Sequence, residues 1–84
     1  MDTKKIYKVV YTKFGLLGDS TYEDYFLSKE SAIQYGIELT AKKLRKEASQ
    51  IVNKCTLEKA SYGEYIAVDG QGYGVYIYTI EARQ

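Results

Sequence analysis

The side chains that could carry catalysis are few in this chain and poorly placed for it. Among its 84 residues there is no histidine and a single cysteine, Cys55. The chain therefore lacks the usual ligands of a transition-metal site and the base of a Cys/His nucleophilic pair. Two carboxylate pairs could exchange protons, Glu23 with Asp24 and Glu64 with Asp69. Adjacent residues of a strand point to opposite faces, however, which separates Glu23 from Asp24. We therefore expect no enzyme, no cofactor and no metal site.

Two other patterns could bind phosphate. Glycines at positions 70, 72 and 74 resemble a phosphate-cradling loop, but no helix follows to aim its amides at an anion, and a hairpin turn explains them better. A run of four cations suits either a solvated helix face or a contact with phosphate or an acidic partner. These cations are Lys42, Lys43, Arg45 and Lys46.

Composition and charge restrict the class of protein. Twelve basic and 11 acidic residues leave a net charge of +1, which gives no global attraction to nucleic acid or to an anionic membrane. A hydrophobic content of 45% predicts a folded chain, expected here as a single domain over residues 1–84. No apolar run approaches the roughly 20 residues that span a bilayer, and residues 1–5 do not resemble a signal peptide. With one cysteine, we expect a cytoplasmic protein.

A sheet is expected to position the candidate functional residues, and residues 71–82 predict its main strand. From Tyr73 to Ile80 nearly every residue is β-branched or aromatic, which favours a strand. Both alternating sets of side chains are apolar or aromatic, whereas a strand with one wet face would alternate apolar with charged residues. We therefore predict an interior strand that is covered, or can be covered, on both faces.

The remaining elements follow from similar patterns. Ser28 is a predicted N-cap, and an apolar stripe from Ile33 to Ile51 recurs at three- and four-residue spacing. Ala32, Gly36 and Thr40 form a row of small residues that lets the helix lie close to the sheet. The predicted elements are strands over residues 4–14 and 21–27, a helix over 29–49, a strand over 52–60, a short extended piece over 64–68 and the final strand.

These elements predict an α+β domain of the form ββαββ. Its antiparallel sheet has four strands, or five if residues 64–68 join it, and one face packs on the helix. Residues 51–55 fit helix or strand, and the strand order stays open. The turns are predicted at residues 15–20, which include Leu16 and Leu17, and at Asp69–Gly72. The two leucines either fold back over the core or form an exposed apolar contact.

The segment from Gln71 to Tyr78 resembles the aromatic strand motif of RNA-recognition domains, in which aromatic side chains stack on bases. Ile6 and Tyr7 loosely resemble the partner motif of that family. The resemblance covers about eight residues, Gln71 replaces the family's basic residue, and the second helix and fourth strand of that fold do not follow. It implies a sheet face that bears aromatic side chains, rather than the whole fold.

The strands offer more apolar and aromatic surface than a single helix can cover. One helix covers one face of a sheet, yet the first and last strands carry apolar or tyrosine side chains on both faces, and tyrosine is common at interfaces. We expect one of the two alternating sets among five tyrosines to lie on the uncovered face. These tyrosines are Tyr7, Tyr11, Tyr73, Tyr76 and Tyr78.

Two functions remain open at this point. The first is a protein-binding module that uses the tyrosine-rich face, or the turn with Leu16 and Leu17, to contact a partner or a second copy. The second is a single-stranded nucleic-acid binder that combines sheet tyrosines with the four cations. In size and composition the chain resembles accessory proteins of bacteriophages and mobile elements of low-GC bacteria. That resemblance implies inhibition of a host or defence protein by occlusion.

Overall fold

A five-stranded antiparallel sheet forms the body of the protein, which the computed structural model describes over residues 3–13, 20–61 and 63–83. In chain order the elements are strands β1 (Thr3–Lys13) and β2 (Ser20–Phe26), helix α1 (Lys29–Leu44), the short helix α2 (Ala48–Ile51), a 3-10 turn (Val52–Lys54), and strands β3 (Cys55–Ala60), β4 (Gly63–Val68) and β5 (Gln71–Arg83). The α+β prediction with one main helix is confirmed. The sheet has five strands because the short extended piece pairs on both sides, as β4.

The final strand lies at the centre of the sheet. The strand order is β2-β1-β5-β4-β3, so β5 is hydrogen-bonded on both sides and the prediction of an interior strand is confirmed. Along β4 the register shifts, because Tyr65 lies opposite Tyr76 and Ala67 lies opposite Gly72. Gly74 sits in this bulge with a φ of 78°, a conformation that glycine adopts without steric cost.

A tight turn connects β4 to β5, as predicted. Val68 and Gln71 are paired, and the two residues between them have left-handed backbones, with φ of 52° at Asp69 and 82° at Gly70. Two successive residues of this kind form the two-residue turn whose twist matches that of paired strands. The turn therefore fixes which side chains of β4 and β5 share a face of the sheet.

Helix α1 lies against one face of the sheet through its row of small residues. Ser28 caps it as predicted, and its Oγ accepts a hydrogen bond from the Ser31 amide. The predicted row is buried, and a Cβ added at Gly36 would overlap Cδ1 of Ile66 and lie 3.3 Å from Cγ1 of Val75. The backbone of α1 thus approaches the sheet closely. Ala32 of the helix packs with the buried sheet residues Val9, Ile66, Val75 and Ile77.

The helix is shorter than its apolar stripe predicts, because α1 ends at Leu44 instead of continuing to residue 49. Arg45 adopts a left-handed backbone with φ 56°, and the amide of Lys46 donates to the carbonyl of Ala41 at 2.9 Å. This closing pattern usually places glycine at the left-handed position, so an arginine there does not indicate the end of a helix. After the break, α2 directs Ile51 into a second buried cluster with Ala41 and Val68.

Strand β3 also begins later than predicted. The 3-10 turn occupies Val52–Lys54, and the strand starts at Cys55. The apolar residue at the predicted start, Val52, is 47% exposed and does not pair in the sheet. Strands β1 and β2 pair antiparallel as a hairpin. The predicted turn between them, including Leu16 and Leu17, lies outside the described residues.

Candidate functional site

One face of the sheet is not covered by either described helix, and we call it the open face. In an antiparallel pair, opposite residues point the same way and successive residues alternate. Val9 and Ile77 lie opposite each other and are buried under α1, so their neighbours along β1 and β5 point away from the helix. The apolar and aromatic residues of the open face include Ile6, Val10, Tyr25, Ala60, Tyr65, Ala67, Tyr76, Tyr78 and Ile80.

Three tyrosines occupy the centre of the open face. Tyr65 and Tyr76 lie opposite each other, and their ring centroids are 6.4 Å apart in an edge-to-face arrangement. Tyr78 follows two residues along β5 and lies opposite Lys8, whose Nζ is 5.3 Å from the centroid of the tyrosine ring. Such ring–ring and cation–ring contacts each contribute about 0.5–1.5 kcal/mol. They hold the three rings in a defined arrangement.

Glycines lie beside two of these rings and let them approach the sheet closely. A Cβ added at Gly63 would come within 3.0 Å of Cδ1 of Tyr78, and one added at Gly72 within 3.2 Å of Cδ2 of Tyr65. Aromatic rings that cover glycines in a sheet also shield the backbone from water. The tyrosines are therefore partly buried by the sheet itself, and their outer surfaces form a broad, shallow aromatic patch.

The β2 side of the open face is polar. Lys8 Nζ lies 3.9 Å from a carboxylate oxygen of Glu23, and the hydroxyl of Tyr25 donates to the other oxygen at 2.9 Å. This hydrogen bond to Glu23 is the main reason that the pKa of Tyr25 is raised. A charged flank beside an aromatic centre is the usual composition of a protein contact surface.

The five predicted tyrosines divide between the two faces. Tyr76 and Tyr78 lie on the open face, whereas Tyr7, Tyr11 and Tyr73 lie on the side of α1. Tyr7 and Tyr11 share a face with the buried Val9 and pack against the main core, and Tyr73 packs against the second cluster. Only one alternating set is thus available on the open face.

Several open-face residues were not among the predicted contact residues. Tyr65 could have been found from alternation, since it precedes the buried Ile66 by one position and must point the other way. Ile6 and Ile80 lie opposite each other on the same face, and Ile80 is 36% exposed. Tyr25 is 59% exposed. Finding Ile6, Ile80 and Tyr25, in contrast, requires the register between strands, which the sequence leaves undetermined.

The four predicted cations are not brought together with the open-face tyrosines. They lie at the end of α1, which packs on the opposite face of the sheet. Lys43 has a structural contact, because its Nζ donates to the carbonyl of Tyr73 at 2.7 Å, next to the bulge in β5. Burial there lowers the pKa of Lys43. Lys42, Arg45 and Lys46 are exposed on the helix side of the molecule.

The candidate acid–base residues Glu23 and Asp24 point to opposite faces of the sheet, and each accepts a hydrogen bond from a tyrosine. Glu23 points to the open face, and Asp24 points to the other face, where it accepts a 2.8 Å hydrogen bond from the hydroxyl of Tyr35. This bond to Asp24 raises the pKa of Tyr35. Burial likewise raises the pKa of the Cys55 thiol, which favours its unreactive protonated form. Within the described part of the chain, no three His, Cys, Asp or Glu residues group as metal ligands.

Comparison with known proteins assigns no family. No family model, no curated protein and no solved structure matches this chain. Neither helix in the described part of the chain combines the length and the apolar character needed to cross a membrane. The function is therefore inferred from the geometry of the open face.

Proposed function

We propose that this chain is a small, non-catalytic protein-binding module whose contact surface is the open face. The observation that carries the proposal is the central position of β5, which places Tyr76 and Tyr78 in the middle of a sheet face opposite α1. A strand at the sheet margin would have offered isolated side chains instead. Here the tyrosines of β4 and β5 and the apolar residues of β1 form a continuous surface.

The composition of this surface supports a protein as the partner. Tyrosine provides a large contact area with only two side-chain torsions to restrict, so binding through it costs little conformational entropy. The rings of Tyr65, Tyr76 and Tyr78 are already held by contacts with each other, with Lys8 and with glycine positions. A preorganised aromatic patch avoids part of the ordering cost of association.

The geometry favours a protein over single-stranded nucleic acid. Nucleic-acid binders of this kind combine stacking rings with cations that follow the phosphate backbone. In this chain the cation run of α1 and the tyrosines Tyr76 and Tyr78 lie on opposite sides of the sheet. Lys8 Nζ lies 5.3 Å from the centroid of the Tyr78 ring, and it is also 3.9 Å from a carboxylate oxygen of Glu23.

The resemblance in size and composition to phage and mobile-element accessory proteins supports a more specific role. We propose that the open face occludes a host or defence protein inside the cell. An inhibitor of this kind needs only a preformed surface that is large enough to block a partner. No active-site chemistry is required of it.

The test compares the open face with a matched site on the other face. Tagged wild-type chain, the double variant Tyr76→Ala/Tyr78→Ala and the control Tyr22→Ala are used to capture proteins from a bacterial lysate. Tyr22 is 42% exposed and lies on the helix side of β2, so it controls for general loss of an exposed tyrosine. Circular dichroism and thermal unfolding establish that each variant is folded.

The expected result is a protein that the wild type and the Tyr22 variant retain and the double variant loses. Binding of the purified partner should then weaken by at least about 100-fold in the double variant, since central aromatic residues each contribute about 2 kcal/mol or more. Equal capture by all three chains would contradict the proposal. Oligonucleotide binding that falls steeply with added salt would favour the nucleic-acid function instead.

A further inference from the structure

Strand β3 forms an edge of the sheet, and its free backbone groups can be identified. The amide of Asp69 donates to the carbonyl of Lys54 at 3.2 Å, and Cys55 lies opposite Val68. Hydrogen-bonded pairs alternate along antiparallel strands, so residues 54, 56, 58 and 60 direct their backbone groups to β4. Residues 55, 57 and 59 therefore direct their N–H and C=O groups away from β4, although the amide of Cys55 already donates to the carbonyl of Val52 in the 3-10 turn.

The two edges of the sheet differ in how they would pair with a copy of themselves. The centre of β2 holds Glu23 and Asp24. If two copies of β2 paired antiparallel around either residue, Glu23 would lie opposite Glu23 or Asp24 opposite Asp24. Such charges are one way in which proteins protect a sheet edge. The centre of β3 contains the apolar Leu57, and its charged residues Glu58 and Lys59 differ in sign. Strand β3 is the less protected edge.

We propose that β3 pairs antiparallel with β3 of a second copy around a two-fold axis at Leu57, which forms a ten-stranded sheet across the dimer. In this register Leu57 lies opposite its own copy, Cys55 opposite Lys59, and Thr56 opposite Glu58. The amides of Leu57 and Lys59 then donate to the carbonyls of Leu57 and Cys55 of the second copy. A shift of the axis by one residue would place Glu58 opposite Glu58 and Leu57 opposite Lys59.

A groove beside β3 can receive the side chains of the second copy. Helix α1 lies mainly across β5 and β1, which leaves space between α1 and β3. Ile33 and Ile37 line two adjoining cavities there, one of about 460 Å³ and one of about 220 Å³. Leu57 lines the smaller cavity, and the larger is bordered by Glu30 and Glu38. The register places Lys59 of the second copy on this side, where the acidic border is electrostatically complementary.

The proposed interface is small, and a moderate affinity follows. Six residues of strand with neighbouring groove residues make less contact than the 1,200–2,000 Å² or so of a standard stable interface. We expect a Kd of roughly 10–100 µM. This interface does not involve the open face, so Tyr76→Ala/Tyr78→Ala should leave it unchanged.

The first test measures oligomeric state by sedimentation equilibrium from about 5 to 500 µM, a range that brackets the expected Kd. The wild type should change from monomer to dimer across it. Lys59→Pro removes an outward N–H, and proline is tolerated at a free strand edge. It should weaken dimerisation at least about 30-fold, because two hydrogen bonds are lost in the symmetric dimer. The matched variant Lys59→Ala keeps the N–H and should still dimerise.

The second test reads the register from amide hydrogen exchange. Raising the concentration should slow exchange at Leu57 and Lys59. Cys55, already bonded to Val52, and Thr56 and Glu58, already bonded to β4, should change little. A monomer at every concentration would overturn the proposal. So would a dimer in which the amides of Leu57 and Lys59 do not change, or protection of these two amides only after another protein is added.

Discussion

The close packing of α1 on the sheet can be tested by a double-mutant cycle at Gly36 and Ile66. The substitution Gly36→Ala has two opposing effects on stability. Alanine is a better helix former than glycine by about 1 kcal/mol. Its methyl group, however, would overlap Cδ1 of Ile66 and lie 3.3 Å from Cγ1 of Val75, in a core where neither side chain is exposed by more than 1%.

The magnitudes predict that the steric effect dominates. Overpacking a core costs about 1–3 kcal/mol, and an overlap of this size belongs near the upper end. Gly36→Ala alone should therefore lower the free energy of unfolding by about 1–2 kcal/mol. Ile66→Val removes Cδ1, the atom that is overlapped, and alone should cost about 1 kcal/mol. In the double variant the new methyl occupies the vacated space, so its stability should lie within about 0.5 kcal/mol of the wild type.

Urea unfolding of the four chains, followed by circular dichroism, measures the coupling. If the two effects were independent, the double variant would lose about 2–3 kcal/mol, so the expected coupling is about 2 kcal/mol. A second cycle of Gly36→Ala with Ile77→Val is the control, because Ile77 is buried but its atoms are not the nearest to the new methyl. Additive effects at Gly36 and Ile66, or a stabilising Gly36→Ala, would show that α1 does not approach the sheet this closely.

Three further substitutions test the turn between β4 and β5, the hydrogen bond from Tyr35 to Asp24, and the open face. Gly70→Ala should destabilise by about 1–2 kcal/mol in thermal unfolding from its φ of 82° alone, since an added Cβ meets no atom within 4 Å. Tyr35→Phe should cost about 1 kcal/mol at neutral pH through the lost bond to Asp24. That bond raises the folded-state pKa of Tyr35, so its contribution to stability is complete below about pH 10 and is lost at higher pH. The free energy of unfolding of the variant should therefore fall less steeply with rising pH than that of the wild type. A Cβ at Gly63 would lie 3.0 Å from Cδ1 of Tyr78 and also 3.0 Å from the carbonyl oxygen of Ile77. Gly63→Ala should therefore displace the ring of Tyr78 and weaken partner binding about 10-fold in a chain that circular dichroism shows to be folded, and unchanged binding would argue against a contact through that ring.

The sequence predicted those parts of the fold that depend on local patterns. Alternation and β-branched content predicted β5 as an interior strand, and the left-handed turn at Asp69 and Gly70 was indicated by its residue types. The end of α1 was missed because the apolar spacing continues through α2 to Ile51, although the backbone reverses at Arg45. The spacing of apolar residues indicates which residues are buried. It does not separate one long helix from two short helices whose buried residues follow the same spacing.

The contact surface was predicted only in part, for a different reason. Alternation sorts the residues of one strand into two sets, but it does not say which set meets the helix. That choice depends on the register between strands and on the position of α1, both of which are long-range properties. The sequence therefore predicts that one alternating set of the tyrosines is uncovered without deciding which one. The register assigns Tyr7 and Tyr11 to the side of α1 and Tyr76 and Tyr78 to the open face.

The two proposed surfaces are geometrically compatible. A two-fold axis through β3 and perpendicular to the sheet keeps both open faces on the same side, because residues opposite each other in the new strand pair point the same way. Each Tyr65 lies on β4, the strand next to the junction, and so the aromatic patches of the two copies would approach one another across it. A weak dimer can then bind a dimeric partner more tightly than one copy binds one subunit, since the second contact forms at high effective concentration. Occlusion of a symmetric host protein would therefore depend on both surfaces, although each can be disrupted without the other.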